Sequence, residues 1–209
     1  MATLVQDVWL GTTPRLRGRR LAPFDEPPAR VVFHPDLGMT LEDTALAAFL
    51  EGLGRRVDVV AYEPRGEGGS GGRFGPEALA DLRSLVSSAP SRWPDGRPLV
   101  LAGHGVGAAL ALAAAGETGV KAAVALAPSV PDFLESPDWV RHVRGLGVPL
   151  LALAPREATA HTATMEALSS HPRAAVLLVP GDALALLRPP WAEIVAAWAA
   201  YQAAADVSG

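Results

Sequence analysis

The chain contains no cysteine, and that absence removes disulfides, thiolate catalysis and cysteine-based metal sites at once. Lysine is almost missing as well: of 18 basic residues only Lys121 is a lysine, and the rest are arginines. They are outnumbered by 22 acidic residues, for a net charge of −4. The densest basic cluster is Arg15, Arg17, Arg19 and Arg20, which alternates through Leu16. It reads as the solvated face of an edge strand rather than a nucleic-acid patch, because the chain as a whole is acidic. No apolar run approaches the ~18 residues that span a membrane. The segment Met1–Asp7 has neither the basic start nor the apolar stretch of a secretory signal. The expectation is a soluble, cytoplasmic protein with no nucleic-acid partner and no membrane partner.

What is present suits one folded unit. The length of 209 residues, with 49% apolar and 19% charged, supplies a sizeable core and too little charge for disorder. Neither a repeat nor a long linker divides the chain, so a single domain over 1–209 is expected. Leu4–Leu10 and Arg15–Leu21 look like an antiparallel pair of strands joined by Gly11-Thr-Thr-Pro14. Strand-like runs follow at Val31–Phe33, Val57–Tyr62, Pro98–Ala102, Val120–Leu126, Val148–Leu153 and Ala174–Val179. The later ones are nearly continuous in apolar character, which fits parallel strands buried on both faces. Helical patterns fall between them: Thr40–Leu53 with Thr40 as N-cap, Pro76–Ser87, Val106–Ala115, Thr162–Ser169 and Pro190–Ala205. The pattern predicts an α/β fold with a mostly parallel, twisted sheet of about eight strands and helices on both faces.

Chemistry concentrates where strands end. Pro98-Leu-Val-Leu-Ala-Gly-His-Gly-Val-Gly-Ala-Ala-Leu110 is a strand, a glycine-rich turn and a helix, the layout of a G-x-S-x-G nucleophile elbow. The outer glycines, Gly103 and Gly107, are present, and the centre is Gly105. If this turn is an elbow, Gly105 has positive φ. Three further segments fall in a matching order: Val31-Val-Phe-His-Pro-Asp-Leu-Gly38, the Pro64-Arg65-Gly66 run with Gly68 and Ser70, and Val179-Pro-Gly-Asp-Ala-Leu184. Together these segments resemble the α/β-hydrolase superfamily over about Val31 to Tyr201. The resemblance implies the α/β-hydrolase fold, with a minimal cap over about 127–147 and a triad at the strand ends.

On that resemblance, Gly105 stands at the nucleophile position, Glu157 at the acid position and Leu184 at the histidine position. The oxyanion turn reads His34-Pro35-Asp36, with the Asp36 amide as the donor. A serine hydrolase needs a nucleophile, a base and an oxyanion hole. Here the first two positions carry Gly and Leu, and an aspartate side chain would repel a developing oxyanion. The expected function is therefore a non-catalytic hydrolase-like protein, a role known in the superfamily among the N-myc downstream-regulated and cholinesterase-like adhesion proteins. It would bind a small apolar ligand or a protein partner at the strand-end face through His34, Asp36, His104, Gly105, Val106 and Trp139, and assembly as a homo-oligomer is open. The alternative is a weak esterase, thioesterase or lyase with a displaced site, using Asp36, Glu157 or His161 with water.

Competing readings are blander or narrower. Ser70 and Ser129 read as turn residues that hydrogen-bond backbone. His171 precedes its strand and lies at the wrong edge, and His142 reads as surface. His34, Asp36 and His104 match no standard metal-ligand spacing, so no metal is expected. Gly103-His-Gly-Val-Gly-Ala108 also fits the dinucleotide fingerprint G-x-G-x-x-A, but the next strand ends Ala125-Leu-Ala-Pro128 without the ribose-binding carboxylate. No cofactor is expected.

Overall fold

Short runs of Val, Leu and Ala separated by glycine and proline turns give the chain its strands, and the stretches between them carry a helical apolar stripe. The structure, a computed structural model, describes residues 3–11, 13–135, 137–156 and 162–205. Its strands are β1 (Thr3–Leu10), β2 (Leu16–Pro23), β3 (Arg30–His34), β4 (Asp58–Tyr62), β5 (Leu99–His104), β6 (Val120–Leu126), β7 (Leu150–Pro155) and β8 (Ala174–Val179). Its helices are α1 (Thr44–Gly54), α2 (Glu77–Arg92), α3 (Val106–Ala114), α4 (Pro137–Arg144), α5 (Thr162–Ser169) and α6 (Pro189–Ala205), with a 3-10 turn over Ala183–Leu187.

The strands form one open eight-stranded sheet in the order β1-β2-β4-β3-β5-β6-β7-β8. β2 runs antiparallel to both its neighbours, β1 and β4, and every pairing from β4 to β8 is parallel. α1 and α6 pack on one face, against Val31, Phe33, Val59 and Val124. α2, α3, α4 and α5 pack on the other, against Val32, Val60, Leu101 and Ala123. This is an α/β-hydrolase fold. β3, β4, β5 and the middle of β6 have almost no exposed side chains, as parallel strands covered twice should. Among the described residues no helix is long and apolar enough to cross a membrane.

Several sequence expectations shift. The arginine-bearing strand is not an edge: β2 lies between β1 and β4. Its arginines are taken up internally, Arg17 by Glu42 (2.5 Å) and Glu63 (3.4 Å), and Arg19 by Asp7 (3.1 Å) and Glu42 (3.0 Å). Alternation alone cannot tell a solvated face from one that meets carboxylates. Thr40 is not an N-cap, because α1 starts at Thr44. Asp43 instead accepts from the Thr40 amide at 2.6 Å and closes a turn before the helix. α2 continues past Ser87 to Arg92 and accommodates Pro90 in its last turn.

Beneath the sheet, at the start of β3 and β4, sits a buried ionic cluster. Asp58 is fully buried and accepts from Arg20 (2.8 and 3.0 Å) and from Arg30 (3.0 and 2.5 Å). Arg30 also reaches Asp95 and stacks 4.8 Å over the Trp93 ring. Such clusters add little net stability when whole, but removing one partner strands a desolvated charge. Asp58→Ala should therefore lower the unfolding free energy by about 3–5 kcal/mol in urea titrations, while Asp7→Ala at the exposed pair should cost under about 1 kcal/mol. Equal effects would mean that Asp58 is not supporting Arg30.

Candidate functional site

The site is built where β5 turns into α3 and β3 ends beside it. The approach is too close for side chains. A Cβ at Gly103 would lie 2.3 Å from the Gly107 backbone, and one at Gly107 would lie 2.1 Å from the His34 carbonyl oxygen. The chain between them must turn sharply, and Gly105 does so at φ +56°, ψ −123°. Its amide donates to Leu126 O at 2.9 Å, and its carbonyl accepts from Ser129 N at 3.0 Å, which fixes the turn to the end of β6. α3 then starts at Val106 with its free amides at the top of the sheet, the positive end of the helix.

Asp36 fills this position. Its Oδ1 accepts from Val106 N at 2.8 Å and from Leu37 N at 2.9 Å. Its carboxyl also occupies the space a side chain at 105 would need: a Cβ there would come within 2.0 Å of the Asp36 Cγ. The side chain is about one-third exposed. The loop amide that meets the carboxylate is that of Leu37.

Two histidines support the turn from below. His104 is buried, its Nε2 donates to Ala183 O at 2.9 Å, and its Nδ1 lies 3.8 Å from Asp36 Oδ2 with no hydrogen-bond partner. The bond to Ala183 ties the turn to the 3-10 segment. His34 is buried with its ring edge-on to Tyr62, and its Nδ1 donates to Pro35 O at 2.8 Å. Burial pulls its pKa down to about 4, since desolvation disfavours the imidazolium.

The other sequence candidates are dispersed. Leu184 projects from the 3-10 turn and is more than half exposed, and Asp182 caps that turn by accepting from Ala185 N at 2.9 Å. Glu157 and His161 lie outside the described residues. Trp139 does not roof the site. It is buried in the core, donates to Thr164 Oγ1 at 3.1 Å and stacks on His142. α4 carries it down beside α3 because Val143 packs in the same direction. Ser70 bonds Glu63 O and Arg17 N, and His171 is buried on Leu146 O. Among the described residues no group of three or more His, Asp or Glu could hold a metal ion.

Sequence reasoning missed Glu63. Its carboxylate is fully buried and accepts from Leu41 N at 3.1 Å and Gly69 N at 2.7 Å, stapling the loop after β4 to the segment before α1. Its place just before Pro64-Arg65-Gly66 was the available signal.

The sequence matches the Alpha/beta hydrolase family over residues 11–208, and the chain belongs to that family. A search of curated proteins finds no significant match. Among solved structures it is similar to the Pyrococcus furiosus esterase Pf2001, with TM-score 0.75, 16% identity, and 94% of this chain and 89% of that one covered. It is similar to an alpha-beta serine hydrolase homologue from Coxiella burnetii, with TM-score 0.72, 20% identity, and 92% and 96% covered. It also resembles the esterase domain of a Rhodothermus marinus protein, with TM-score 0.73, 20% identity, and 95% and 99% covered. At these identities the likeness is one of fold.

Two outcomes are expected from the geometry. Gly105→Ala should destabilise by about 1–3 kcal/mol from the positive φ, plus the displacement of Asp36. In an Asp36→Ala background the second part vanishes, so a double-mutant cycle should show coupling of about 1 kcal/mol. Strict additivity would mean that the carboxylate is not seated against residue 105. His34 gives a pH signature. Its folded pKa is below its unfolded value, so the unfolded chain takes up the proton first as pH falls. Stability should drop between pH 6.5 and about 4, by about 3 kcal/mol in all, and level off below. His34→Gln should lack this share of the slope in urea titrations run across the same pH range.

Proposed function

We propose that this α/β-hydrolase-fold protein does not run the serine-hydrolase reaction and acts by binding at its strand-end face. The observation that carries this reading is the seat of Asp36. The Val106 amide, which in an elbow faces a developing oxyanion, already serves a carboxylate. A substrate carbonyl placed there would meet negative charge instead of free donors, opposing a stabilisation worth roughly 3–4 kcal/mol. Gly105 offers no nucleophile, and Leu184 offers no base. Loss of nucleophile, base and oxyanion donor together favours inertness over a displaced catalytic step.

The shape of the face supports a contact surface. Leu37, next to Asp36, and Leu184, on the 3-10 turn that His104 ties to the elbow, are exposed, and Val106, whose amide meets the carboxylate, is almost buried. A cleft of about 480 Å³ lies elsewhere, between α4, α5 and β8. An apolar rim around one fixed negative charge suits a protein or small apolar ligand that carries a cationic or hydrogen-bond-donating group at its centre. One observation favours the second reading, an enzyme with a displaced site. Asp36 Oδ2 is free of the amides and faces the unpartnered His104 Nδ1, an arrangement able to take a proton from water.

Short-chain p-nitrophenyl esters and a fluorophosphonate probe separate these readings. The expected result is no cleavage above buffer and no adduct on any serine. Gly105→Ser should remain inactive, because the new side chain must displace Asp36 and has no base. Ester turnover in the wild type that is abolished by Asp36→Asn would replace the binding reading with the enzymatic one.

A further inference from the structure

The sheet ends at β1 on one side and β8 on the other, and the two edges are built differently. β1 carries Asp7, tied to Arg19, and its Trp9 lies under the Arg15 guanidinium at 4.5 Å. Charges on an edge deter pairing with another chain. β8 reads Ala-Ala-Val-Leu-Leu-Val, with no charge and no proline. Leu177 and Leu178 are 41% and 54% exposed, although they point to opposite faces. An uncharged edge that is apolar on both faces is a template for a further strand.

The ladder to β7 fixes which backbone groups look outward. Arg173 O accepts from Leu150 N, and Val179 O accepts from Arg156 N, so the odd-numbered residues turn towards β7. Alternation then directs the N–H and C=O groups of Val176 and Leu178 away from the sheet. Ala174 N is already used by His171 O at 3.2 Å.

We propose that β8 pairs antiparallel with β8 of a second copy of this chain, about a two-fold axis at Leu177, so that two sheets join into one. In this register Val176 of one copy exchanges hydrogen bonds with Leu178 of the other, and the reverse. Leu177 faces its own counterpart. Charge selects this partner and this direction. Arg173 and Asp182 bracket the strand, and the same register sets each Arg173 beside Asp182 of the second copy. Arg173 is exposed and uses Nη1 on Gly147 O, while Asp182 is exposed and uses Oδ1 on its cap. Parallel pairing would set Arg173 against Arg173. Val176 and Leu178 also line the cleft of about 480 Å³ together with Met165 and Ala154. Leu178 of the second copy therefore settles beside an apolar hollow, and the symmetry makes every such contact twice.

Size-exclusion chromatography with light scattering, over a range of chain concentrations, tests this assembly. The wild type should be a dimer that dissociates on dilution. Leu178→Lys places a charge on the pairing edge, and Leu178→Pro removes an outward N–H without touching the β7 ladder. Both should be monomeric, with thermal melts in the monomer range that show an intact fold. Arg173→Glu should raise the dissociation constant about tenfold or more, through like charge against Asp182. A wild type that is monomeric at every concentration would overturn the proposal. So would a dimer that survives both Leu178 variants.

Discussion

β5 and α3 meet with no Cβ between them. Gly103 lies against the Gly107 backbone, and Gly107 lies against the end of β3, so strand, helix and neighbouring strand converge at contact distance. Given that approach, residue 105 has to leave the sheet in a left-handed conformation, and the first amides of α3 have to point out of the strand-end face. Amides at a helix start are unsatisfied by the helix itself and carry its positive end. They require an acceptor from elsewhere. In this chain the acceptor is a covalently attached carboxylate, Asp36, held on the loop after β3.

That choice changes what the scaffold can do without changing the scaffold. A hydrolase elbow leaves its amides to water until a substrate oxygen arrives, and its catalytic power rests on donors waiting for charge that develops later. Here a carboxyl group of the chain itself stands in that place. On the reading proposed above, a ligand anion would have to compete with a side chain already seated on the Val106 amide. The histidines below keep structural tasks in the same turn. His34 stays neutral against Pro35 O and Tyr62, and His104 ties the turn to the 3-10 segment at Ala183. Both stabilise the geometry whether or not chemistry occurs above it.

Much of this was legible in the sequence, and the reasons are specific. Val120–Leu126, Val148–Leu153 and Ala174–Val179 read as parallel strands buried on both faces because they are nearly continuous in apolar residues. The first two are, whereas the third, β8, is the edge of the sheet with Leu177 and Leu178 exposed, because apolar character alone does not say that a further strand follows. The turn at Gly103-His-Gly-Val-Gly107 was legible because close backbone approach leaves glycine no substitute. The arginines of β2 were misread because their partners, Glu42, Asp58 and Glu63, come from other elements. Trp139 was placed over the site because an amphipathic helix does not say which neighbour takes its apolar side. Asp36 reads from the sequence as a residue that would oppose an oxyanion. That it sits in the amide's own hydrogen-bonding position depends on a contact with Val106 that spans 70 residues of sequence, and no local pattern encodes it.

Gly105 and Asp36 form one unit in physical terms. With any side chain at 105, the carboxylate cannot keep its place, because a Cβ there and the Asp36 Cγ would lie 2.0 Å apart. With glycine at 105 and no carboxylate at 36, the Val106 amide would lose its acceptor, and the space above the turn would lie open to water. Each residue removes the difficulty the other would create. The glycine makes room for the carboxylate, and the carboxylate satisfies the helix start that the bare turn leaves exposed. A serine at 105 would therefore need a further change at 36 before its hydroxyl could reach a free amide. On the resemblance that puts Leu184 at the histidine position, a base would also have to be supplied from the 3-10 turn, where Leu184 is more than half exposed.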